Sequence, residues 1–178
     1  VTYSIEKDIL RVDYQIKNTG ANEMYFSIGG HPAFKVPLTD QTSYDDYYLQ
    51  FEHTENALRW PIDAGGLIEN KAEPFFNNSS RIDISHELFK KDALVFKGLA
   101  SRRVSLKSNA HNHGLDFNFE EFPFLGLWAA KGGNFVCIEP WCGIADSVSH
   151  NGELIHKEGI EQLSGRSNWS RAWSVRCF

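Results

Sequence analysis

Hydrophobic and polar residues alternate along much of this chain. The pattern is clearest over residues 10–17, where Leu, Val, Tyr and Ile are separated by Arg, Asp, Gln and Lys. A period of two predicts a strand with one buried face and one exposed face. Other short stretches rich in β-branched and aromatic residues predict further strands at residues 24–28, 47–51, 93–96, 103–106, 115–119, 125–129, 135–138 and 169–175.

Turn-forming segments separate these predicted strands. Residues 18–23 are expected to reverse the chain so that residues 24–28 pair with residues 10–17. A short helix is predicted only at residues 85–90, with Ser85 as its N-cap. Many closely spaced strands without a long helix favour an all-β, antiparallel sandwich or barrel, formed as a single domain over residues 1–178.

Composition and charge narrow the possible classes of protein. The chain is 42% hydrophobic and 23% charged, the balance of a globular domain, and no apolar run approaches the ~20 residues that span a bilayer. A net charge of -5 argues against nucleic acid as a partner. Three cysteines without a disulfide-type spacing favour a reducing, cytoplasmic location. Because a strand pattern begins within a few residues of Val1, which is not an initiator Met, we expect a further N-terminal segment of the same protein.

The segment Gly29-Gly30-His31-Pro32-Ala33-Phe34 is the first candidate for chemistry. Its glycines allow a sharp turn or a close approach to a ligand, and Pro32 biases His31 towards an extended backbone. Such a segment would hold an imidazole at the end of a strand. Taken singly, a tight turn with an incidental histidine explains it at least as well.

The second candidate is the apolar stretch that leads into Glu139, Pro140 and Trp141. A carboxylate at the end of a buried strand is costly unless it is paired or hydrogen-bonded. Since proline donates no hydrogen bond, we expect the strand to stop at Pro140 and Glu139 to lie at the rim of the sheet. Trp141 would then offer an apolar platform to the CH face of a sugar. A structural glutamate bonded to backbone amides beside a core tryptophan is the alternative.

Two weaker candidates lie elsewhere in the chain. His111 and His113 would point the same way on a strand and could contribute to a cupin-like metal site, although their surroundings are typical of a polar loop. Asp92 precedes a predicted strand, where it could accept hydrogen bonds from sugar hydroxyls or serve as a turn residue.

Residues 29–34 and the segment Cys137-Ile138-Glu139-Pro140-Trp141 together resemble the catalytic signatures of the aldose 1-epimerase (galactose mutarotase) family, in particular its LacX-like bacterial branch. The resemblance extends over nearly the whole chain. It implies a galactose mutarotase-like antiparallel β-sandwich, here without its N-terminal strands, that binds a sugar in an open cleft on one sheet. Family members are longer, and their upstream part supplies a further histidine and an arginine that have no match here.

The resemblance also implies roles for individual residues. His31 would be the catalytic acid and Glu139 the catalytic base, while Asp92, Trp141 and Phe34 would contact an aldohexose, with no cofactor or metal required. The expected reaction is the exchange of α and β anomers by ring opening and reclosure. Glucose, galactose and a phosphorylated hexose stay open as substrates. A non-catalytic carbohydrate-binding domain and a cupin-like metalloenzyme are the alternative functions.

Overall fold

Antiparallel strands account for almost all regular structure in the computed structural model, which describes residues 1–178. Two single-turn 3₁₀ helices, Tyr44–Asp46 and Leu154–His156, lie between strands. The sixteen strands are β1 (Thr2–Glu6), β2 (Ile9–Lys17), β3 (Met24–Phe26), β4 (Ile28–Gly29), β5 (Ala33–Lys35), β6 (Tyr47–Glu55), β7 (Leu58–Trp60), β8 (Glu73–Pro74), β9 (Ser79–Asp83), β10 (Leu94–Lys97), β11 (Arg103–Ser108), β12 (Leu115–Asn118), β13 (Phe124–Trp128), β14 (Phe135–Cys142), β15 (Glu161–Leu163) and β16 (Asn168–Cys177).

The strands form two large sheets and one small one. The first sheet has the order β1-β2-β16-β12-β11-β6-β9, and the second has the order β4-β14-β13-β10-β7-β8, with β5 also paired to β14. Strands β15 and β3 form a separate pair. The predicted all-β antiparallel sandwich is therefore confirmed.

A core of 28 buried residues joins the inner faces of the two large sheets. The period-two pattern explains its composition, because alternate side chains of each strand point inwards. In β2, Val12 and Tyr14 are buried while Arg11 and Gln15 are exposed. Phe117 from the first sheet and Phe96 from the second are fully buried, and each such side chain stabilises the fold by roughly 1.5–3 kcal/mol.

The helix predicted at residues 85–90 is wrong. Two successive turns replace it, in which the amide of Leu88 donates to the carbonyl of Ser85 and the amide of Lys90 to that of Glu87. A helix of six residues forms too few hydrogen bonds to offset the free-energy cost of nucleation unless packing stabilises it strongly. Neither of the short 3₁₀ helices has the length and apolar character needed to cross a membrane.

The predicted pairing of residues 24–28 with residues 10–17 is also wrong. Strand β2 pairs with β16 along its whole length and with β1 over residues 9–13, whereas β3 pairs with β15. The buried side chain of Asn18 redirects the chain: its amide nitrogen lies 2.8 Å from the carbonyl oxygen of Asn22 and 3.0 Å from that of Leu163. The amide thus ties the end of β2 to the β15 segment.

Strand β14 does not end at Pro140, as the sequence led us to expect, but continues to Cys142. The register of its neighbour gives the reason, because β4 and β5 pair with β14 in one continuous register, from Ile28 opposite Cys142 to Lys35 opposite Phe135. Between these strands, Gly30 still donates to the carbonyl of Pro140, and Ile138 donates to the carbonyl of Pro32. Each proline lacks only the N–H that would form the second bond of its pair, so it removes one hydrogen bond without ending the strand.

We predict that Asn18→Ala lowers the free energy of unfolding by roughly 1–3 kcal/mol, because it leaves buried backbone carbonyls without their donor. Asn22→Ala is the matched control, since the Asn22 side chain is exposed and makes no hydrogen bond. Chemical denaturation of both variants measures the effect. Equal stability of the two variants would contradict this role for Asn18.

Candidate active site

His31 lies between β4 and β5, where the continuous register of these strands places it opposite Glu139 of β14. The backbone on either side of it is fixed by two hydrogen bonds to that strand, from Gly30 to the carbonyl of Pro140 and from Ile138 to the carbonyl of Pro32. Gly30 is also packed tightly, because a Cβ at this position would lie 2.9 Å from the indole nitrogen of Trp173. The segment that carries His31 is therefore anchored on both sides.

The side chains of His31 and Glu139 are in direct contact. Nδ1 of His31 lies 3.0 Å from Oε1 of Glu139. The Glu139 side chain is only 8% exposed, whereas that of His31 is 62% exposed and its ring packs edge-on near Trp128. The pair thus combines a carboxylate held in the protein with an imidazole that faces solvent.

Burial changes the acidity of Glu139. Loss of hydration raises the pKa of this carboxyl group from 4.5 to about 7, while a hydrogen bond from the Trp141 side chain acts in the opposite direction. A carboxyl group with a pKa near 7 changes its protonation state around neutral pH. This is the property required of a proton-transfer group that works under those conditions.

The indole of Trp141 lies flat on the outer face of the second sheet, beside Glu139. A Cβ at Gly126 would collide with its six-membered ring, and one at Gly29 would lie 2.6 Å from its Cδ1. Glycine at both positions lets the ring lie against the strands. The ring also borders an apolar cavity of about 390 Å³, whose other walls include Ile62, Ile68, Val95 and Ile144.

The structure does not bring every sequence-predicted residue to this face. Phe34 points to the opposite side of the sheet and packs against Phe117 in the core, with ring centroids 6.0 Å apart, so it is not retained as a sugar contact. Asp92 is exposed and accepts a hydrogen bond only from the neighbouring amide of Ala93. Its role in sugar binding stays a prediction.

Residues that the sequence analysis did not single out support the site. The hydroxyl of Tyr14 accepts a hydrogen bond from the indole of Trp173 and lies 3.2 Å from the carbonyl oxygen of Gly29, to which it donates. These two residues and His31 border a cleft of about 450 Å³. The period-two pattern places both in strands, but only the pairing of distant strands brings them to Gly29.

Cys137 is the other residue whose position sequence reasoning left unused. It shares a face of β14 with Glu139, and its sulfur, a carboxylate oxygen of Glu139 and a ring nitrogen of His31 all lie within 4.8 Å of one another. Its spacing of two from Glu139 is the signal that could have found it.

His111 and His113, the alternative cupin-like metal site, are engaged in other contacts. Nε2 of His111 lies 2.8 Å from the hydroxyl of Tyr47, and its Nδ1 accepts a hydrogen bond from the amide of His113. Both ring nitrogens of His111 are therefore used within the protein. No further histidine or acidic residue approaches the pair to complete a ligand set.

The fold and the site together define a class of protein: a β-sandwich that carries a carboxylate–imidazole pair beside an aromatic platform on an open sheet face. A sequence model of the family described as aldose 1-epimerase matches residues 1–162, and the chain belongs to this family.

Individual relatives agree with this assignment. The chain is 31% identical over 167 residues to the chromosomal LacX protein of Lactococcus lactis subsp. lactis, covering 92% of this chain and 56% of that protein. A galactose mutarotase related enzyme from Lactobacillus acidophilus has a TM-score of 0.87 at 27% identity, over 99% of this chain and 59% of its own. A galactose mutarotase-like protein from Lactobacillus casei ATCC 334 gives 0.88 at 26% identity, over 99% and 61%. The chain thus spans a little over half the length of the curated relatives it matches.

The raised pKa of Glu139 predicts a pH-dependent cost to stability. Because the folded protein holds this proton up to about pH 7 and the unfolded chain loses it near pH 4.5, stability falls as the pH rises between these values. We therefore expect Glu139→Gln to gain stability relative to the wild type between pH 5 and pH 8, by up to about 3 kcal/mol.

Denaturation at both pH values measures this difference. Glu120→Gln is the matched control, because it removes an exposed carboxylate and should not reproduce the gain. A wild type that is favoured increasingly over Glu139→Gln as the pH rises would contradict the burial argument.

Proposed function

We propose that this chain carries the acid–base pair of an aldose 1-epimerase that interconverts the α and β anomers of a free aldohexose. The observation that carries the proposal is the 3.0 Å contact between His31 and Glu139 on an open sheet face. In a cyclic sugar the anomeric hydroxyl oxygen and the ring oxygen are both bonded to C1. An acid and a base that serve these two oxygens must therefore stand side by side, as this pair does.

In the proposed reaction, Glu139 as the carboxylate removes the proton of the C1 hydroxyl. His31 donates a proton to the ring oxygen through Nε2, the nitrogen that does not face Glu139, and the bond between C1 and the ring oxygen breaks. Rotation about C1–C2 presents the other face of the aldehyde. Reclosure returns one proton from Glu139 and one to His31, so the pair is regenerated with no net proton change.

The surroundings of the pair support this assignment of roles. A pKa of about 7 makes Glu139 a usable base near neutral pH. The side chain of His31 is mostly exposed, so it can reach a sugar bound on the open face of the sheet. Trp141 offers an aromatic face beside Glu139 on which the apolar CH face of a sugar could pack. The further histidine and arginine implied by the family resemblance have no match in this chain.

The first test is the rate of mutarotation of freshly dissolved α-glucose and α-galactose, followed by polarimetry. We expect Glu139→Gln and His31→Asn each to lower kcat/KM by ~10²–10⁴-fold, the usual contribution of one positioned proton-transfer group. Glu120→Gln and His113→Asn, which alter exposed residues away from the pair, should retain the wild-type rate. Circular dichroism checks that each variant is folded.

The outcomes separate the possible roles. A near-normal rate in Glu139→Gln would overturn the assignment of the base. A raised KM with unchanged kcat in His31→Asn would make His31 a binding residue. Saturable sugar binding by a wild type that never accelerates mutarotation would instead support a carbohydrate-binding domain.

The second test is the pH dependence of the reaction. If ionised Glu139 is the base, kcat/KM should fall about tenfold per pH unit as the pH is lowered below about 7, because only the unprotonated carboxyl group accepts the proton. Stopped-flow polarimetry from pH 5 to 9, corrected for the uncatalysed rate, measures the profile. A flat profile between pH 5 and 7 would contradict this role.

A further inference from the structure

We propose that Cys137, Glu139 and His31 form a binding site for Zn²⁺, and that zinc bound there inhibits the enzyme. The three side chains supply one sulfur, one carboxylate oxygen and one imidazole nitrogen, all within 4.8 Å of one another. This mixed ligand set suits zinc, whereas Mg²⁺ and Ca²⁺ prefer oxygen ligands throughout.

The distances fit a tetrahedral ion after small side-chain movements. With Zn–N and Zn–O bonds of about 2.0–2.2 Å, a tetrahedral ion places its nitrogen and oxygen ligands roughly 3.3 Å apart. Nδ1 of His31 and Oε1 of Glu139 are already 3.0 Å apart. The ion would therefore take the place of the direct contact between these two atoms, with the sulfur of Cys137 as its third ligand.

The backbone holds these ligands independently of any metal. Cys137 and Glu139 are two residues apart on β14, so both side chains project from the same face of the strand. Residue 33, next to Pro32 in the segment that carries His31, pairs with Cys137 in the adjacent strand. The high exposure of His31 leaves one side open to solvent, where a water molecule can complete four-coordination.

Binding changes the protonation of the site. Burial raises the pKa of the Cys137 thiol to about 12, so this group is protonated at neutral pH when no metal is bound. A coordinating thiol is deprotonated, and its proton passes to solvent as the Zn–S bond forms. Zinc also occupies the carboxylate proposed as the base and separates it from Nδ1 of His31, which is why we expect inhibition.

The binding experiment uses the purified, metal-free protein, titrated with Zn²⁺ in competition with a chromophoric chelator. We expect one Zn²⁺ per chain and at least ~10-fold weaker binding in Cys137→Ser, since removal of a ligand should cost no less than removal of an outer partner. Cys177→Ser and His113→Asn are the matched controls, because they remove an exposed thiol and a surface histidine away from the site. Both should bind zinc as the wild type does.

The absorption of bound Co²⁺ gives a readout that depends neither on whether a variant folds nor on catalytic activity. Co²⁺ bound through a thiolate shows sulfur-to-metal charge-transfer absorption in the near ultraviolet, and we expect this band in both the wild type and Cys177→Ser. Absence of the band in the wild type would overturn the proposal even if Cys137→Ser did not fold. Zinc binding that is lost in His113→Asn, or is unchanged in a folded Cys137→Ser, would also overturn it.

The inhibition arm rests on the proposed function, whereas the binding and cobalt arms do not. Micromolar Zn²⁺ should suppress mutarotation by the wild type, and a chelator should restore it. Cys137→Ser should require at least ~10-fold more zinc than the wild type for the same fractional suppression of its own zinc-free rate, whereas Cys177→Ser should respond to zinc as the wild type does. Stoichiometric zinc binding to a protein without mutarotase activity would contradict the proposed function and support the zinc site. Mutarotase activity in a protein that binds no zinc would support the proposed function and overturn the zinc site.

Discussion

The register between β14 and the segment that joins β4 to β5 is the constraint on which the rest of the site depends. This register is the same on both sides of residues 30–32, with Gly29 opposite Trp141 and Ala33 opposite Cys137. The prolines at positions 32 and 140 each remove one ladder hydrogen bond, but one bond remains in each of their pairs. The register therefore places His31 opposite Glu139, where the side chains of an antiparallel pair lie close together. A shift of one residue would move one of these two side chains to the other face of the sheet.

The two sheets of the sandwich cooperate to hold the segment that carries His31. The hydroxyl of Tyr14, from β2 in the first sheet, donates to the carbonyl of Gly29 at the end of β4 and accepts a hydrogen bond from the indole of Trp173 in β16. These contacts cross the interior between the sheets and link Gly29 to β2 and β16. The backbone that leads into His31 is therefore supported by the packing of the core.

Sequence reasoning succeeded where the determining physics is local. Alternation over residues 10–17 predicts β2 to within a residue, and the same period explains why Cys137, Glu139 and Trp141 share a face of β14. Its predictions were wrong where the structure depends on residues that are distant in the sequence. The partner of β3 depends on where the buried amide of Asn18 holds the chain after β2, and the continuation of β14 through Pro140 depends on its pairing with a segment more than a hundred residues earlier.

The candidate site shows the same division. His31 and Glu139 were found from their local segments and the family resemblance, but their 3.0 Å contact is a product of strand pairing. Phe34 was misassigned because the sequence alone does not show that residues 31–34 stay extended and in register with β14. Once they do, its spacing of three from His31 places Phe34 on the opposite face of the sheet.

Trp141 affects both the acidity of Glu139 and the shape of the surface beside it. Its ring lies on the sheet between Gly29 and Gly126, which gives a flat apolar surface, and its side chain hydrogen-bonds Glu139, which favours the ionised carboxyl group. Burial has the larger and opposite effect, because it raises the pKa of Glu139 to about 7. A fully hydrated carboxylate would be too weak a base for the C1 hydroxyl, and one buried without a donor would stay protonated at neutral pH. Under the proposed function, this balance of burial and hydrogen bonding would set the useful pH range, and the ring that contributes to it is the surface on which we propose that the sugar packs.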